Sequence, residues 1–286
     1  MEHITLNDGN KIPQLGLGVW ELSDEQAYNS VRAAIEAGYR HIDTAKVYEN
    51  EEAVGRAVND AIKAGDVSRE DLFITTKLWN DDQERVAEAH AESLKRLGLD
   101  YVDLYLIHWP CPQYGKYASA FADMLKLRGA GAKSVGVCNF YPEALDQLEK
   151  TTGEKPAVNQ IEIHPGFSQV DQRADNNRRG IVTEAWSPLG RGANLEDPTI
   201  RKIAEEHGVS PAQAIIRWHI QRGDVVFPRS SNADRVRENF DVFGFTLGED
   251  EMQTITGLDT ADGRGGPDPR EFNVGVEDRI SGENEK

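Results

Sequence analysis

Three polar residues stand at the ends of apolar, strand-like segments, and together they could support proton transfer. Asp43 ends HID, Lys77 follows ITT, and His108 follows LYLI. A charge buried at such a place costs several kcal/mol unless a partner compensates it, so the three suggest a mutual arrangement. When any one of these residues is considered alone, a simpler alternative is favoured. In that alternative Asp43 and Lys77 form a structural ion pair, and the histidine nearby has its hydrogen bonds satisfied.

Tyr48 lies five residues after Asp43, and its presence favours a catalytic arrangement over the structural ion pair. Because side chains on a straight strand alternate between its two faces, the chain must turn for Asp43 and Tyr48 to meet. A phenol titrates near pH ~10, a neighbouring ammonium lowers that pKa, and a carboxylate can hold the ammonium in place. A histidine can then position a substrate oxygen or donate to it. The set predicts delivery of a proton to a carbonyl oxygen as hydride reaches its carbon.

Alternating strands and helices must position these residues. A short hairpin is predicted over ITLNDGNKIP, with Asp8 and Gly9 at its turn. Strand-like segments then alternate with helical or polar stretches: LGLGVW, YRHIDTA, LFITTKL, YVDLYLIHW, SVGVCNF, AVNQIEI, IVTEAW and VVFPR. This order predicts a closed parallel (β/α)8 TIM barrel rather than an open sheet, and reactive groups of such barrels lie where strands end.

Helix ends and a change of composition mark the remaining boundaries. Ser23 and Gln26 predict a capping box at the start of the first helix, and Gly38 predicts its end. After Asp259 the chain reads TADGRGGPDPREFNVGVEDRISGENEK, which has few apolar residues and predicts an irregular C-terminal tail. We expect residues 1–286 to form one barrel domain, with the tail starting at about residue 260.

Bulk properties narrow the class of protein. A formal charge of −17 argues against nucleic acid or anionic membranes as partners, although it could also reflect a salt-adapted source. No apolar run approaches the roughly 18–20 residues of a membrane span, and MEHITLNDGN does not look like a secretory signal. Cys111 and Cys138 make no disulfide framework. We therefore expect a cytoplasmic protein, and a monomer, since nothing demands an oligomer, whose partner is the small-molecule carbonyl substrate that the residues at the strand ends predict.

A phosphate-binding segment is predicted late in the chain. No strand–loop–helix GxGxxG fingerprint occurs, so we do not expect a Rossmann cofactor site. PRSSNADRVREN instead offers hydroxyls and arginines at the start of a predicted helix, where free N–H groups and the helix dipole favour a phosphate. The alternative is ordinary helix capping by Ser231 or Asn232.

Several segments resemble, in order, the signatures of the aldo-keto reductase family: HIDTAKVYENEEAVG, ITTKLWN, LYLIHWP, VGVCNF, AVNQIEIHP, WSPLGRG and FPRSSNADRVREN. The resemblance runs from about Ile4 to Asp259 and is closest to the prokaryotic branch that includes 2,5-diketo-D-gluconate reductases. It implies a (β/α)8 barrel, no metal, and NADPH-dependent reduction of aldehydes or ketones, such as keto sugars, keto acids and small aldehydes. The implied activity is that of an alcohol dehydrogenase or carbonyl reductase. The family's catalytic tetrad falls on Asp43, Tyr48, Lys77 and His108, with Tyr48 as the proton donor.

The same resemblance implies which residues bind the cofactor: Asn139, Gln160, Trp186, Ser187, Leu189, Arg229, Ser230, Arg235, Glu238 and Asn239. Asn139 and Gln160 match the contacts to the nicotinamide carboxamide, and Trp186 matches the ring on which the nicotinamide stacks. Arg229, Ser230 and Arg235 would hold the adenosine 2′-phosphate, with Glu238 and Asn239 near the adenine. Arg229 stands where the family usually has lysine, and the forked guanidinium group of an arginine can also bind the phosphate.

Substrate contacts are implied for Trp20, Trp79 and Trp109, together with His108. The stretch WPCPQYGKYASAF and the C-terminal tail should shape substrate choice. Cys138 stands where the family usually has a serine that contacts the cofactor, and because a thiol is a weaker hydrogen-bond partner, we favour a packing role. We expect His164 to be structural, since no acid or cysteine at ligand spacing accompanies it.

Two other functions remain as alternatives. One is a cofactor-binding, redox-sensing barrel subunit with little turnover. The intact tetrad argues against it, because a binding module has no need of Tyr48 and Lys77. The other is a phosphate-binding barrel enzyme such as an isomerase or aldolase, which would leave the pairing of Asp43 with Tyr48 unexplained.

Overall fold

The computed structural model describes residues 2–281 and begins with the predicted hairpin. Strands β1 (His3–Thr5) and β2 (Lys11–Pro13) pair antiparallel, with Ile4 opposite Ile12. Gly9 lies in the turn at a φ of 90°, a conformation that glycine adopts without steric cost. The hairpin prediction is confirmed.

A curved sheet of parallel strands follows: β3 (Leu17–Gly18), β4 (His41–Asp43), β5 (Phe73–Leu78), β6 (Val102–Ile107), β7 (Ala132–Cys138), β8 (Val158–Glu162), β9 (Val182–Trp186) and β10 (Val225–Val226). Each strand pairs with its neighbours in chain order. Hydrogen bonds of 2.8 Å from Gly16 N to Val226 O and from Val226 N to Gln14 O join the segment just before β3 to β10. The predicted (β/α)8 barrel is confirmed.

Strands β3 and β10 are shorter than LGLGVW and VVFPR predict. Within residues 2–281 the two strands make no continuous ladder with each other, and isolated bridges link Leu15 with Val226 and Gly18 with Arg229. The backbones come close here, since a Cβ on Gly18 would lie 2.9 Å from Phe227 O. The seam therefore joins through separate contacts rather than a continuous ladder.

Helices surround the sheet: α1 (Asp24–Ala37), α2 (Glu51–Ala64), α3 (Val86–Leu97), α4 (Tyr117–Leu125), α5 (Pro142–Thr152), α6 (Val170–Arg179), α7 (Pro198–Glu206), α8 (Pro211–Gln221), α9 (Ala233–Phe240), α10 (Glu249–Thr256) and α11 (Glu277–Ser281). The capping box of Ser23 and Gln26 forms at the start of α1, and Gly38 ends that helix at a φ of 109°. Within residues 2–281, no helix combines the length and the apolar character needed to cross a bilayer.

The apolar residues form one layer outside the sheet and one inside it. The outer layer packs the helices against the strands. The inner layer contains Leu104, Leu106 and Val158 of the strands together with Leu6 and Ile12 of the hairpin. The hairpin lies at the amino ends of the strands, where Asn7 donates to Pro156 O just ahead of β8. It fills that end of the barrel and leaves the carboxyl ends for polar side chains.

The C-terminal tail crosses the carboxyl ends of the strands. The backbone N–H groups of Gly265 and Gly266 donate to the Glu162 carboxylate, and the Phe272 ring lies 4.2 Å from that of Trp109. Asn80 donates to Val274 O at 2.9 Å. The predicted irregular tail is therefore docked rather than free, and it ends in the short helix α11, which its composition did not indicate.

Candidate active site

A cavity of about 1180 Å³ opens at the carboxyl ends of the strands. Its walls include all the site residues predicted from the sequence except Lys77: Trp20, Asp43, Tyr48, Trp79, His108, Trp109, Asn139, Gln160, Trp186, Ser187, Leu189, Arg229, Ser230, Arg235, Glu238 and Asn239. Lys77 lies fully buried beneath its floor. The fold thus brings the predicted residues to one place.

Lys77 joins the predicted catalytic residues at the cavity floor. Its Nζ donates to Asp43 Oδ1 at 2.6 Å, to the Thr44 carbonyl oxygen at 2.9 Å and to Tyr48 Oη at 3.3 Å. An ammonium has three N–H donors, so these contacts use all of them. The arrangement fixes the ammonium between a carboxylate and a phenol.

Tyr48 reaches this position because the chain turns directly after β4. Residues Lys46–Tyr48 form a short 3-10 helix, and Glu49 follows at a φ of 57°. The Thr44 hydroxyl stabilises this turn by donating to Asn50 Oδ1 at 3.0 Å. Lys46 also pairs with the buried carboxylate of Asp82 on the neighbouring loop. The predicted turn between Asp43 and Tyr48 therefore exists, and it returns the phenol to the acid.

Burial and charge shift the pKa values of the ion pair in the barrel. Burial lowers the pKa of Lys77, but the charge of Asp43 and its hydrogen bond to the ammonium contribute to an overall rise. Burial raises the pKa of Asp43 against the opposing effect of Lys77. The 2.6 Å contact makes Lys77 and Asp43 a buried ion pair.

The phenol of Tyr48 departs from the prediction that Lys77 lowers its pKa. Burial of the hydroxyl at the cavity floor raises the pKa of Tyr48 to about 12, and the nearby Lys77 charge offsets only part of that rise. The prediction of a lowered pKa is wrong for this arrangement, because desolvation exceeds the effect of the ammonium. Tyr48 is therefore protonated at neutral pH, the state from which a proton can be donated.

His108 stands between two aromatic rings beside the phenol. Its ring centre lies 5.7 Å from that of Tyr48 and 5.1 Å from that of Trp79. Burial and the charge of Lys77 hold the pKa of His108 well below its usual range, so the imidazole is neutral. Its Nδ1 has no hydrogen-bond partner within residues 2–281. A neutral imidazole can orient an oxygen by a hydrogen bond but is not a reservoir of protons.

Gln160 and Glu184 lie behind Asp43, and the sequence analysis missed Glu184. Gln160 Nε2 donates to Asp43 Oδ2 at 2.9 Å and to Glu184 Oε2 at 2.8 Å. Burial and the charge of Asp43 raise the pKa of Glu184 to about 8. The signal available in the sequence was an acid inside the otherwise apolar strand IVTEAW.

Asn139 links the loop after β7 to two neighbours. Its Nδ2 donates to the His108 carbonyl oxygen at 3.1 Å, and its Oδ1 accepts from Trp186 Nε1 at 2.8 Å. Asn139 adopts a φ of 64°, which asparagine tolerates better than most residues. These bonds orient the Trp186 indole at the cavity wall.

Cys138 packs inside the barrel. It is fully buried in the inner apolar layer and lies opposite Gln160 in the strand register. Burial holds the pKa of the Cys138 thiol well above its usual range. These surroundings favour the packing role over a contact with a cofactor.

Some polar side chains of the predicted phosphate-binding segment already have hydrogen-bond or ion-pair partners, and others do not. Asn232 caps α9 by accepting from the backbone of Asp234 and Arg235, so this alternative from the sequence is real. Arg229 donates to the Trp20 carbonyl oxygen at 3.1 Å and pairs with Glu21. The Arg235 guanidinium is exposed and has no ion-pair or hydrogen-bond partner within residues 2–281. The Arg235 guanidinium is therefore available to bind the predicted phosphate.

The predicted tryptophans fall into two groups. Trp79 contacts His108 of the predicted tetrad, and Trp109 packs against Phe272 of the tail; both line the cavity. Trp20 instead has the guanidinium groups of Arg191 and Arg229 near its ring, at 5.3 Å and 6.0 Å. Phe272 and Pro267, which also line the cavity, were not singled out in the sequence analysis.

His164 has an acidic neighbour that the sequence analysis overlooked. Glu162 lies two residues earlier, and its Oε1 is 3.2 Å from His164 Nε2. The same carboxylate accepts from Gly265 and Gly266 of the tail. Among residues 2–281, no group of three or more histidine, cysteine or acidic residues could hold a metal ion. Glu162 therefore joins the tail to the end of β8, and His164 contacts the same carboxylate.

Comparisons with known proteins agree with this geometry. Residues 13–260 match the profile of the Aldo/keto reductase family. An aldo-keto reductase of Mycolicibacterium smegmatis is 52% identical over 273 residues, which cover 94% of this chain and 98% of the relative. The methylglyoxal reductase DkgA of Escherichia coli is 49% identical, with 94% and 97% covered. A crystal structure of a Gox0644 mutant in complex with NADPH aligns with a TM-score of 0.89 at 44% identity, covering 95% of this chain and 98% of that one. The chain belongs to the aldo/keto reductase family.

Proposed function

We propose that this protein is an NADPH-dependent reductase that converts aldehyde or ketone groups to alcohols, with Tyr48 as the proton donor. The observation that carries the proposal is the position of Lys77 Nζ, within hydrogen-bond distance of both Asp43 and Tyr48 at the floor of a large cavity. A carbonyl oxygen needs a proton when hydride adds to its carbon, and a positioned phenol can supply it.

Tyr48 suits the role of proton donor better than its neighbour His108. The pKa of Tyr48 is about 12, so the phenol carries its proton at neutral pH. The pKa of His108 is well below its usual range, so the imidazole has no excess proton to give. Lys77 stabilises the phenolate left after transfer, Asp43 holds Lys77, and neutral His108 orients the carbonyl oxygen.

Features of the cavity fit NADPH. Its volume of about 1180 Å³ exceeds the ~300–1,000 Å³ typical of pockets for drug-sized ligands. Arg235 provides a free guanidinium for the 2′-phosphate, and Ser230 and Asn239 lie in the same wall. Trp186 offers an indole face, and Gln160 offers an amide oxygen. When bound, NADPH supplies the hydride.

Small carbonyl compounds are the substrate class that the relatives favour. The relative from Escherichia coli is named methylglyoxal reductase, and it is 49% identical to this chain. Trp79, Trp109 and Phe272 line the same cavity as Tyr48, and these aromatic rings suit a compact organic carbonyl more than a bulky polar one.

The loss of NADPH absorbance in the presence of methylglyoxal, small aldehydes, keto acids and diketo sugars tests the proposal. We expect oxidation of NADPH with at least one of these carbonyls and formation of the matching alcohol. If NADPH binds, as judged by quenching of tryptophan fluorescence, but no carbonyl is reduced, the protein is a cofactor-binding barrel without turnover and the proposal is wrong.

A further inference from the structure

Glu184 lies in the barrel interior directly behind the predicted nicotinamide contacts. It pairs in register with Gln160 on β8, and Gln160 pairs in turn with Cys138 on β7. Trp186 follows two residues later on β9 and lines the cavity. Residues two apart on a strand share a face, so Glu184 stands one layer beneath Trp186.

The Gln160 amide is held from two sides by carboxyl groups. Both Asp43 Oδ2 and Glu184 Oε2 lie within 2.9 Å of Gln160 Nε2. A primary amide nitrogen has two N–H donors, so these contacts use both. A flip of the amide would bring its oxygen against the Asp43 carboxylate, and the orientation is therefore fixed.

The oxygen of the same amide is left for a ligand. Gln160 lines the cavity, and within residues 2–281 no donor contacts its Oε1. A nicotinamide carboxamide carries N–H donors that such an oxygen can accept. Glu184 and Asp43 thus determine what Gln160 presents to the cavity.

Burying an acid at position 184 costs free energy of folding, which argues that the acid is retained for its contact with Gln160. Glu184 is fully buried, and its Oε1 has no partner within residues 2–281. A buried polar atom without a partner destabilises the folded state. Burial and the charge of Asp43 raise the pKa of Glu184 to about 8, so the group is neutral below that pH. Neutral Glu184 leaves Asp43 and Lys77 as a balanced pair.

We propose that Glu184 is a positioning residue of the reduction, which with Asp43 clamps the Gln160 amide so that its oxygen receives the nicotinamide carboxamide. The inference rests on the proposed function, since it needs a nicotinamide in this cavity. Glu184 is not among the residues that line the cavity, and in this proposal it acts through its hydrogen bond with Gln160.

The test compares two cofactors in the Glu184→Met variant. NADPH carries a carboxamide, whereas the reduced 3-acetylpyridine analogue of NADPH carries a methyl ketone with no N–H to donate. We expect Glu184→Met to lower kcat/KM about 3- to 10-fold with NADPH, as for the loss of one net hydrogen bond, and less than twofold with the analogue. Glu184→Gln keeps an oxygen for Gln160 to donate to and should restore the wild-type ratio between the two cofactors.

Several outcomes would overturn the inference. Equal losses with both cofactors would assign Glu184 a purely structural role, and no loss with either would remove it from the site. If Glu184→Met does not fold, Glu184→Ala carries the same expectation, since it removes the same acceptor without adding a new group. Wild type that turns over neither cofactor would instead reject the proposed function, so the two failures are distinguishable.

Discussion

The ammonium of Lys77 lies 3.3 Å from the hydroxyl oxygen of Tyr48, and yet the pKa of that phenol is raised to about 12. The partly buried phenol lies at the floor of the cavity, where desolvation exceeds the effect of one positive charge. Lys77 therefore does not make Tyr48 a strong acid. It limits how unfavourable the phenolate becomes, so that in the proposed reaction the proton can leave when a carbonyl oxygen takes up negative charge.

Replacing Tyr48 with phenylalanine should remove the proton donor and leave cofactor binding nearly intact. We expect turnover to fall by about 100- to 10,000-fold, the range for loss of a general acid. Steady-state reduction rates and a fluorescence titration with NADPH measure the two effects. Tyr105→Phe is the matched control, because the Tyr105 hydroxyl is buried without a partner within residues 2–281. Retention of more than half the activity by Tyr48→Phe, with hydride transfer rate-limiting, would exclude Tyr48 as the donor.

Replacing Lys77 with methionine should reduce both activity and stability. The variant loses the cation that supports the Tyr48 phenolate and leaves the Asp43 carboxylate buried without its ion-pair partner. Breaking a buried pair costs about 3–5 kcal/mol in the free energy of unfolding, which urea denaturation measures. An unchanged denaturation midpoint would show that the pair contributes nothing to the folded state.

Replacing Arg235 with alanine should weaken NADPH binding more than NADH binding. A hydrogen bond to a charged group contributes roughly 1.5–3 kcal/mol, so we expect the Kd for NADPH to rise about 10- to 150-fold. Arg237→Ala is the matched control, because Arg237 pairs with Asp234 and does not line the cavity. Equal losses for NADPH and NADH would mean that Arg235 supports the fold or the adenine rather than the phosphate.

Replacing Glu184 with glutamine should change how stability depends on pH. The pKa of Glu184 is raised to about 8 in the folded protein, so the unfolded chain releases this proton first as pH rises. The wild type should therefore lose stability from about pH 4.5 to about pH 8, at up to ~1.4 kcal/mol per pH unit from this group. Unfolding free energies of both proteins at pH 5, 6.5, 8 and 9 check this. A difference between the two that stays constant across pH would contradict it.

Replacing Gly266 with alanine should disturb the cavity wall. A Cβ at this position would overlap the Trp186 ring and approach Glu162 Oε2 to 3.2 Å, so either the tail or the indole must move. Overpacking costs about 1–3 kcal/mol, which corresponds to a loss of roughly 5- to 150-fold in kcat/KM if it falls on the bound state. Gly244→Ala is the control, since a Cβ there meets nothing within 4 Å. Equal kinetics for the two variants would show that the tail yields freely at Gly266.

Local patterns were sufficient to predict the parts of the molecule that depend on neighbouring residues. The capping box of Ser23 and Gln26 formed because both its bonds lie within one turn of chain. The convergence of Asp43, Lys77 and His108 also follows, since carboxyl ends of parallel strands meet at one end of a barrel. Family resemblance added Gln160, whose amide no pattern in the sequence links to Asp43.

Other parts depend on contacts between distant segments. Gln160 meets Glu184 only because β8 and β9 pair in one register, and a shift of one residue would point Glu184 outward. The packing of Phe272 on Trp109 needs the tail to cross the barrel, which polar composition alone does not indicate. A correct prediction of the Tyr48 pKa depends on how deeply the phenol is buried. The sequence indicates the neighbouring charge but not this burial.

The docked tail has a consequence for how this protein can diverge. Phe272 of the tail belongs to the wall beside the tetrad, and Gly266 lies against Trp186 and is tied to Glu162 at the end of β8. A change in the tail at Gly266 therefore acts on the Glu162 carboxylate and on the Trp186 indole at once. If Phe272 contacts the substrate and Trp186 the nicotinamide, as we propose, a tail that admits a larger carbonyl compound also changes the cofactor site, and a new specificity requires compensating changes in the barrel.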